Sequence, residues 1–406
     1  MNIIVQKFGG TSVGTKELRE KVARKVIDTK KTGKYPVVVV SAIGRNGAPY
    51  ATDTLINFAN AAFKEYDSRE LDMIMACGEM ISTVILSNTI KSMGYKGIAL
   101  TGYQAGIITD ERYGDAEVLK VDPSNILDLL RQDYIPVVTG FQGATEKGDI
   151  TTLGRGGSDT SAAILGEALK ASVVEIYTDV DGVMTADPRL VAEAKVIDHI
   201  GYDEIYQMAE DGAKVVHPRA VAIAKRGSIP LKVKNTLSDA PGTIIHHKGT
   251  CNNKYSKNVS KEDILTAIAH KNNINQVSVY FEDSVELNEL LMNELTNNQI
   301  SIDLINFFID KKVFTIESKD IEKVEKILKK NGFHYHIIRD CSKITAIGNA
   351  MRGIPGVMAK IVKSLSKENI RILQTSDSHN TISCLVSDRD TQKAVNALHK
   401  EFNLSK

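Results

Sequence analysis

The residues best suited to chemistry lie in a glycine-rich stretch that leads into a run of small residues. Gly154, Gly156 and Gly157 allow the backbone to take positive φ and to approach a ligand closely. Ser158 and Asp159 follow where a helix N-cap would lie, before an alanine-rich segment typical of a helix. Because the free N–H groups and the dipole of a helix N-terminus point outward, this turn predicts an anion-binding site.

Arg155 lies within the same turn and adds a planar cation suited to a carboxylate or a phosphate. The alternative is a turn that only links a strand to a helix, which any single glycine would favour. Three glycines, one arginine and a Ser-Asp pair in one stretch favour the anion site.

A second turn of this kind follows the first predicted strand, residues 2–8. Gly9 and Gly10 come directly after the strand and precede a helical pattern over residues 16–29, with Lys7 as a compact cation at the entrance. The P-loop spacing is absent. The turn is a plausible second phosphate cradle, although strand-Gly-Gly-helix elements are common in α/β proteins.

Polar residues also follow two further predicted strands. Ser41, Thr52 and Asp53 belong to the loop after the β-branched run 36–40, and ligands of open α/β sheets bind beyond the carboxyl ends of the strands. The acids within 179–187 follow the strand 173–178 and could hold a nucleotide ribose or contribute to Mg²⁺ binding. Solvated loops and plain turns are the alternatives.

Glu79 is an isolated acid among apolar residues in a predicted helix over residues 68–87. Glutamate is rarely buried without a partner, so we expect Glu79 to face a cavity or a cation. A surface or helix-capping glutamate is the alternative.

These residues need a fold that brings distant turns together. Up to about residue 245, strands that end in glycine or a polar loop alternate with helices, which predicts a mostly parallel α/β sandwich. Residues 246–262 are polar and aperiodic and predict a linker. After it, residues 263–340 and 341–406 repeat one order of elements, which predicts two ferredoxin-like βαββαβ units that could share strands. Their predicted strands include 264–269, 276–281, 334–338 and 370–376.

Composition excludes several classes of protein. The 406 residues suffice for two or three domains, and a net charge of +1 gives no bulk support for a nucleic-acid or membrane partner. The four cysteines are scattered without a CxxC pair, so structural zinc is not expected. Without a signal-like N-terminus or an apolar run of the ~18 residues that span a bilayer, the sequence predicts a cytoplasmic protein.

Two motifs together resemble the aspartate kinase family: KFGGTS at residues 7–12 and TTLGRGGSD at residues 151–159. YTDVDGV at 177–183 and TADPR at 185–189 extend the resemblance, which covers the whole chain. Residues 47–54, 141–149 and 377–379 look most like the diaminopimelate-sensitive kinases of Gram-positive bacteria.

The resemblance implies an amino-acid-kinase fold followed by two ACT-type units. It implies transfer of the γ-phosphoryl group of ATP, with Mg²⁺, to the side-chain carboxylate of aspartate, on the route to lysine, threonine and methionine. Lys7 and Asp159 would be catalytic. The residues implied to bind ATP are Lys7, Phe8, Gly9, Gly10, Ser41, Thr178, Asp179, Met184, Arg189, Lys214 and Val215. Those implied to bind aspartate are Thr52, Glu79, Arg155 and Ser158, with Glu79 taking the ammonium and Arg155 the α-carboxylate.

The ACT-type units imply feedback regulation by an amino acid: meso-diaminopimelate, lysine or threonine. The first unit departs from the usual turn at residues 281–286, whereas the second keeps GIPG at residues 353–356. Gln374, Ser376 and Asp377 are the effector residues that we predict. Open sheet edges favour a homodimer through residues 263–406, with a tetramer as an open alternative.

Two other functions stay open at this point. One is the same fold with another acceptor, such as glutamate, carbamate or a nucleoside monophosphate. The other is a catalytically silent amino-acid-binding regulator, which the retention of Lys7, Arg155 and Asp159 argues against.

Overall fold

The computed structural model describes residues 1–63, 65, 67–213, 215–247, 264–282, 284–348, 351 and 354–405. Lys214 and most of the predicted linker, residues 248–262, lie outside them. The chain forms two compact units, which we describe separately. Of the described residues, the first unit holds Met1–Val183, Val196–Ala209 and 215–247, and the second holds Met184–Lys195, Glu210–Ala213 and 264–405.

The helices of the chain are α1 (Lys16–Lys31), α2 (Thr52–Ala62), α3 (Ser68–Ser92), α4 (Ser124–Arg131), α5 (Gly157–Ala168), α6 (Tyr202–Glu210), α7 (Pro218–Arg226), α8 (Val285–Asn297), α9 (Ile321–Lys330), α10 (Val357–Lys367) and α11 (Thr391–Glu401). The strands of the first unit are β1 (Ile3–Phe8), β2 (Tyr35–Val40), β3 (Gly97–Leu100), β4 (Ile107–Thr109), β5 (Val118–Val121), β6 (Ile135–Thr139), β7 (Gln142–Ala144), β8 (Ile150–Thr152), β9 (Val173–Thr178), β10 (His199–Gly201), β11 (Leu231–Asn235) and β12 (Thr243–His246). Those of the second are β13 (Leu265–Tyr280), β14 (Asp303–Phe307), β15 (Lys311–Glu317), β16 (His334–Gly348), β17 (Gln374–Asp377) and β18 (Thr381–Ser387).

An eight-stranded sheet in the order β10-β12-β11-β9-β1-β2-β6-β3 forms the centre of the first unit. All its pairs are parallel except β11 with β12, as the sequence predicts for a mostly parallel sheet. Residues 36–40 of β2 are buried because both faces of the sheet are covered. Phe8 pairs with Val40 of β2 on one side and with Tyr177 of β9 on the other. The turns after β1, β2 and β9 therefore lie together at the carboxyl ends of these strands.

A second, four-stranded sheet in the order β5-β4-β7-β8 was not predicted. Its strands have only three or four residues, too few for a visible alternation of apolar and polar side chains. Thr151 and Thr152, at the start of the glycine-rich stretch, belong to its strand β8.

Helix α3 crosses the first unit and carries Glu79. Among the described residues it is the one helix long and apolar enough to span a membrane by length and composition, and half of that window is buried inside the fold. Burial of that extent is typical of a core helix. A core helix is apolar because the face that packs inside the fold must be apolar.

The second unit is built on a six-stranded sheet in the order β14-β15-β13-β16-β18-β17. Strands β13 and β16 pair antiparallel along nearly their whole lengths, with β15 beside the second half of β13 and β18 beside the second half of β16. The predicted strands 264–269 and 276–281 are thus parts of one strand. Strand β17 begins at Gln374, so the predicted start at residue 370 is wrong. Two separate apolar cores, one against α8 and α9 and one against α10 and α11, fill the two halves.

Two short stretches from earlier in the chain complete the second unit. Within Met184–Lys195, the Thr185 carbonyl accepts from the backbone N–H of Ile268, and its hydroxyl lies 2.9 Å from His399 Nε2. Within Glu210–Ala213, Asp211 pairs with Lys343 of β16 at 2.7 Å.

Candidate active site

A cleft of about 350 Å³ opens in the first unit at the carboxyl ends of the central strands β1 and β2, where α5 begins. Eight residues with predicted functional roles line it together: Lys7, Gly10, Ser41, Thr52, Glu79, Arg155, Ser158 and Asp159. They come from five separate parts of the sequence, and the parallel sheet brings these parts to one place.

Lys7 and Asp159 form an ion pair at the cleft. Lys7 Nζ lies 2.7 Å from Asp159 Oδ1, and each side chain is 13% exposed. The backbone N–H of His217 donates to the other carboxylate oxygen of Asp159 at 3.3 Å. Both oxygens of Asp159 are therefore oriented, and the ammonium of Lys7 is held at the cleft as a fixed positive charge.

The turn before α5 depends on Gly156, which has φ of +71° and is the N-cap of the helix. Its carbonyl accepts from the N–H of Thr160, so the helix begins at Gly157. The prediction that Ser158 and Asp159 cap the helix is wrong, since they lie in its first turn. The physical reason is that a left-handed glycine ends the strand-to-helix turn without any side-chain cap.

Gly10 brings a second piece of backbone to the cleft. A Cβ at Gly10 would stand 2.1 Å from the carbonyl oxygen of Ala42, so only glycine fits. The N–H of Gly44 donates to the carbonyl of Gly10 at 3.1 Å. The glycine turn after β1 and the loop after β2 are thus packed together as one wall of the cleft.

Glu79 is 2% exposed and lines the cleft. Its Oε1 accepts from the N–H of Ala42 at 3.0 Å, whereas its Oε2 is buried with no hydrogen-bond partner among the described residues. Burial raises the pKa of Glu79 to about 8, against the hydrogen bond from Ala42, which lowers it. A buried carboxylate with a free oxygen would be satisfied by a cation in the cleft.

Several predicted ATP residues lie outside the cleft. The ring of Phe8 is fully buried and stacks on Tyr177 at 4.5 Å between centroids, so it belongs to the core. Thr178 bonds to the carboxylate of Asp179 at 3.1 Å. Gly9 and the half-buried Val215 lie in the first unit but do not line the cleft.

Met184 and Arg189 belong to the second unit, where Arg189 Nη2 lies 2.6 Å from Asp187 Oδ2. Lys214 lies outside the described residues. Asp181 accepts hydrogen bonds from Asn235 and Ser238, which fits the plain-turn alternative for this acid.

Arg45, Asn46 and Phe141 also line the cleft, and the sequence patterns did not single them out. Arg45 reaches across to Asp179 at 3.0 Å, which links the loop after β2 to the turn after β9. Its position in the loop at residues 41–54 was a usable signal. Phe141 packs against Gly157. The backbone of Phe141 has φ of +69°, and nothing in the sequence indicates that conformation.

A second cavity, of about 360 Å³, lies in the second unit. Its lining residues are Met351, Ile354, Gly356, Val357, Met358, Thr375, Ser376, Asp377, Ser378 and Ile382. Ser376 and Asp377 are thus among the predicted effector residues that line it. Gln374 does not line it, because its side chain bonds instead to Gln276 and Asn306 inside the sheet.

Comparison with known proteins decides the family. The profile of the amino acid kinase family matches residues 2–235, and that of the ACT domain matches residues 336–400. The chain is 42% identical over 409 residues to Aspartokinase 1 of Bacillus subtilis (strain 168), with 100% of each chain covered. The chain belongs to the aspartokinase family.

Two solved structures of E. coli aspartokinase III agree with this aspartokinase along almost its whole length. The complex with aspartate and ADP (R-state) has a TM-score of 0.79 at 25% identity and covers 98% of this chain and 99% of that one. The complex with lysine and aspartate (T-state) has a TM-score of 0.77 at 25% identity, with 99% and 100% covered. The predicted fold class and the predicted enzyme, an aspartate kinase with an ACT domain, are confirmed.

Proposed function

We propose that this aspartokinase transfers the γ-phosphoryl group of ATP to the side-chain carboxylate of L-aspartate and forms 4-phospho-L-aspartate. The observation that carries the proposal is the buried Oε2 of Glu79, to which no described residue donates a hydrogen bond, in a cleft that Lys7 and Arg155 also line. The product would lead towards lysine through diaminopimelate, and towards threonine and methionine, in the cytoplasm.

The acceptor would be held at both ends of its amino-acid backbone. Its α-ammonium would satisfy Glu79, and its α-carboxylate would pair with the guanidinium of Arg155. Thr52 and Ser158 line the same cleft and offer hydroxyl groups to the substrate. Glutamate shares both backbone groups, and the extra methylene of its side chain would misplace the attacking oxygen.

Transfer to a carboxylate needs no general base, because the acceptor is already ionised at neutral pH. The protein then has to align two anions and neutralise the charge between them. Lys7 would stabilise the moving group, and Asp159 would hold its ammonium in place through the 2.7 Å ion pair.

For ATP, the glycine turn at Gly9 and Gly10 and the N-terminus of α5 offer backbone N–H groups to the phosphates. Ser41 adds a hydroxyl group at the same edge. Thr178, Asp179, Met184, Arg189, Lys214 and Val215 remain predicted nucleotide residues. The ADP in the R-state complex of the E. coli relative supports a nucleotide at this kind of site.

Mg²⁺ would accompany the nucleotide. The described residues contain no group of three or more His, Cys, Asp or Glu side chains that could hold a metal alone. Mg²⁺ in kinases is typically held by substrate phosphates with one or two carboxylates, and Asp159 is the carboxylate beside Lys7 that would contribute. The donor set therefore fits a metal that enters with ATP and screens its phosphate charge.

The first experiment measures ADP release with Mg-ATP against aspartate, glutamate, carbamate and UMP. Turnover with aspartate supports the proposal. Turnover with another acceptor would keep the kinase cleft and refute the roles of Glu79 and Arg155. A silent amino-acid-binding regulator, the other function considered, would give no turnover with any acceptor.

We further propose that the cavity of the second unit binds an amino-acid effector. The free N–H groups at the N-terminus of α10 would bind the α-carboxylate of the effector, and Asp377 and Ser376 would offer an acceptor and a hydroxyl group to its ammonium. Meso-diaminopimelate, lysine and threonine are the candidates, and the lysine in the T-state complex of the E. coli relative supports an amino acid. Residues 1–245 would be catalytic, and 263–340 and 341–406 regulatory.

Inhibition by each of the three amino acids tests this proposal, with Asp377→Ala and the control Asp67→Ala compared at matched ATP and aspartate. Asp67 is an exposed acid of the first unit that lines neither cavity. Loss of inhibition in Asp377→Ala alone supports the cavity as the effector site.

We also propose a homodimer through residues 263–406, because β14 and β17 leave open edges on the six-stranded sheet. Sedimentation of the full chain as a monomer at micromolar concentration would refute the dimer.

A further inference from the structure

Helix α3 carries a second buried acid, Asp72, seven residues before Glu79. Asp72 has no exposed surface, and both of its carboxylate oxygens are used. Oδ1 accepts from the hydroxyl of Thr152 at 2.7 Å, and Oδ2 accepts from the N–H of Thr152 at 2.7 Å and from the N–H of Gly114 at 3.0 Å. A buried carboxylate is costly unless it is hydrogen-bonded, and here three donors offset the cost.

All three donors adjoin the turn that carries Arg155. Thr152 ends β8, three residues before Arg155. Gly114 precedes Asp115, whose carboxylate oxygen would stand 2.5 Å from a Cβ on Gly154. Asp72 therefore anchors the turn at its entry and, through the loop at Gly114, at its outer face.

The same helix face continues from Asp72 to the cleft. One turn along, the carbonyl of Ala76 accepts from the side chain of Gln142, which lies opposite Thr152 in the neighbouring strand β7. About one further turn along, Glu79 lines the cleft and holds the N–H of Ala42. Because an α-helix is stiff over about two turns, the position of Glu79 is fixed relative to Asp72.

We propose that Asp72 is a positioning residue that fixes the separation of Glu79 from Arg155, and so selects an acceptor whose ammonium and carboxylate match that separation. The inference rests on the proposed roles of Glu79 and Arg155 in binding the acceptor. Asp72 does not contact the cleft and acts through Thr152.

The test compares steady-state kinetics of Asp72→Ala, Asp72→Asn and Arg219→Ala. Asp72→Ala frees the turn from α3, so the KM for aspartate rises by about 10- to 100-fold while the KM for ATP changes far less. In Asp72→Asn the amide oxygen can accept from both backbone N–H groups and the amide nitrogen can donate to the Thr152 hydroxyl, so the KM for aspartate stays near that of the wild type.

Arg219→Ala is the matched control, because Arg219 anchors the same turn from α7 through the carbonyls of Leu153 and Ala116. It loosens the turn and, through Asp115, the loop at Gly114, but it leaves both hydrogen bonds from Thr152 to Asp72 in place. In the background of Glu79→Gln, which already loses the ammonium contact, Asp72→Ala should add little to the KM for aspartate. Arg219→Ala should add its full effect there.

Thr152→Val keeps the test decisive if Asp72→Ala fails to fold, because it removes only the hydroxyl bond and should raise the KM for aspartate in the same sense. The inference alone would be overturned if Glu79→Gln raises the KM for aspartate but Asp72→Ala and Thr152→Val do not. It would also be overturned alone if, with that rise in Glu79→Gln, these two variants raise the KM values for aspartate and ATP equally. An unchanged KM for aspartate in Glu79→Gln would overturn the acceptor site and the inference with it.

Discussion

The imidazole of His217 lies directly against Gly156, so that a Cβ on Gly156 would stand 2.1 Å from His217 Cγ. His217 also gives its backbone N–H to Asp159, the partner of Lys7. The N-terminus of α7 thus fixes both the left-handed residue of the glycine-rich turn and the orientation of the ion pair in the cleft.

Gly156→Ala should inactivate the enzyme, because the added methyl group would strain a φ of +71° and push the imidazole away from the turn. We expect kcat/KM to fall by about 100-fold or more, since a shift of 1 Å at a reacting group has that effect. Steady-state kinetics with saturating ATP measures it.

Gly148→Ala is the control for this variant. Gly148 has φ of +92°, and a Cβ added to it would meet no atom of the described residues within 4 Å, so Gly148→Ala carries the backbone strain of about 1–2 kcal/mol without the clash. Equal activities of the two variants would show that the contact with His217 does not matter.

Lys7→Ala should abolish turnover and leave the fold intact. The side chain supplies the positive charge nearest to Asp159, and loss of one such charge-stabilising group lowers kcat by about 10²–10³-fold or more. Pre-steady-state ADP formation measures the chemical step, and circular dichroism checks the fold. Near-normal kcat in Lys7→Ala would refute the proposal that Lys7 and the adjacent glycine turn bind the phosphates and stabilise the transferred phosphoryl group.

Glu79 should make stability fall with rising pH. Its pKa of about 8 in the folded chain exceeds the 4.5 of an ordinary glutamate, so the folded state holds more protons than the unfolded state between these values. The contribution of Glu79 to the free energy of unfolding is complete below pH 4.5 and is lost as the pH rises through 8. Urea denaturation of Glu79→Gln, which cannot ionise, should show a smaller loss of stability over this range than the wild type.

Aspartate should oppose this effect, because its ammonium favours the ionised carboxylate of Glu79. Binding near neutral pH should therefore release a proton, and calorimetry in buffers of different ionisation enthalpy should detect it. A binding heat that is the same in every buffer would contradict the contact between Glu79 and the ammonium.

Gln374→Ala should destabilise the second unit. Gln374 accepts from Gln276 at 2.9 Å and donates to Asn306 at 2.6 Å, so truncation leaves buried groups without partners, at about 1–3 kcal/mol each. Chemical denaturation measures the loss. Ser376→Ala is the control: Ser376 is exposed in the cavity, so the variant should change effector inhibition and leave stability unchanged.

Lys343→Met should destabilise the chain strongly, because it removes the cation that lies 2.7 Å from the buried carboxylate of Asp211. The expected cost is about 3–5 kcal/mol in the free energy of unfolding. Lys147→Met, which breaks an exposed pair with Glu111, should cost about 0–1 kcal/mol. Similar losses in the two variants would mean that burial does not determine the value of these pairs.

The short strands β4, β5, β7 and β8 and the joined strand β13 could not be read from the sequence. Three or four residues carry too little periodicity, and a long strand that crosses two halves looks like two strands when its middle, near Asn272 and Asn273, is polar. Tertiary pairing, rather than local propensity, decides such elements.

The sequence alone determined the parallel sheet, the two glycine turns and the residue types that meet at its edge, because these depend on local rules: apolar runs, glycine flexibility and the order of strands and helices. Only the tertiary structure decided that no described residue bonds to the buried Oε2 of Glu79, that Asp72 ties its helix to the Arg155 turn, and that 184–195 and 210–213 belong to the second unit. Those features depend on contacts between residues far apart in the chain, and burial and hydrogen-bond partners exist only once the chain has folded.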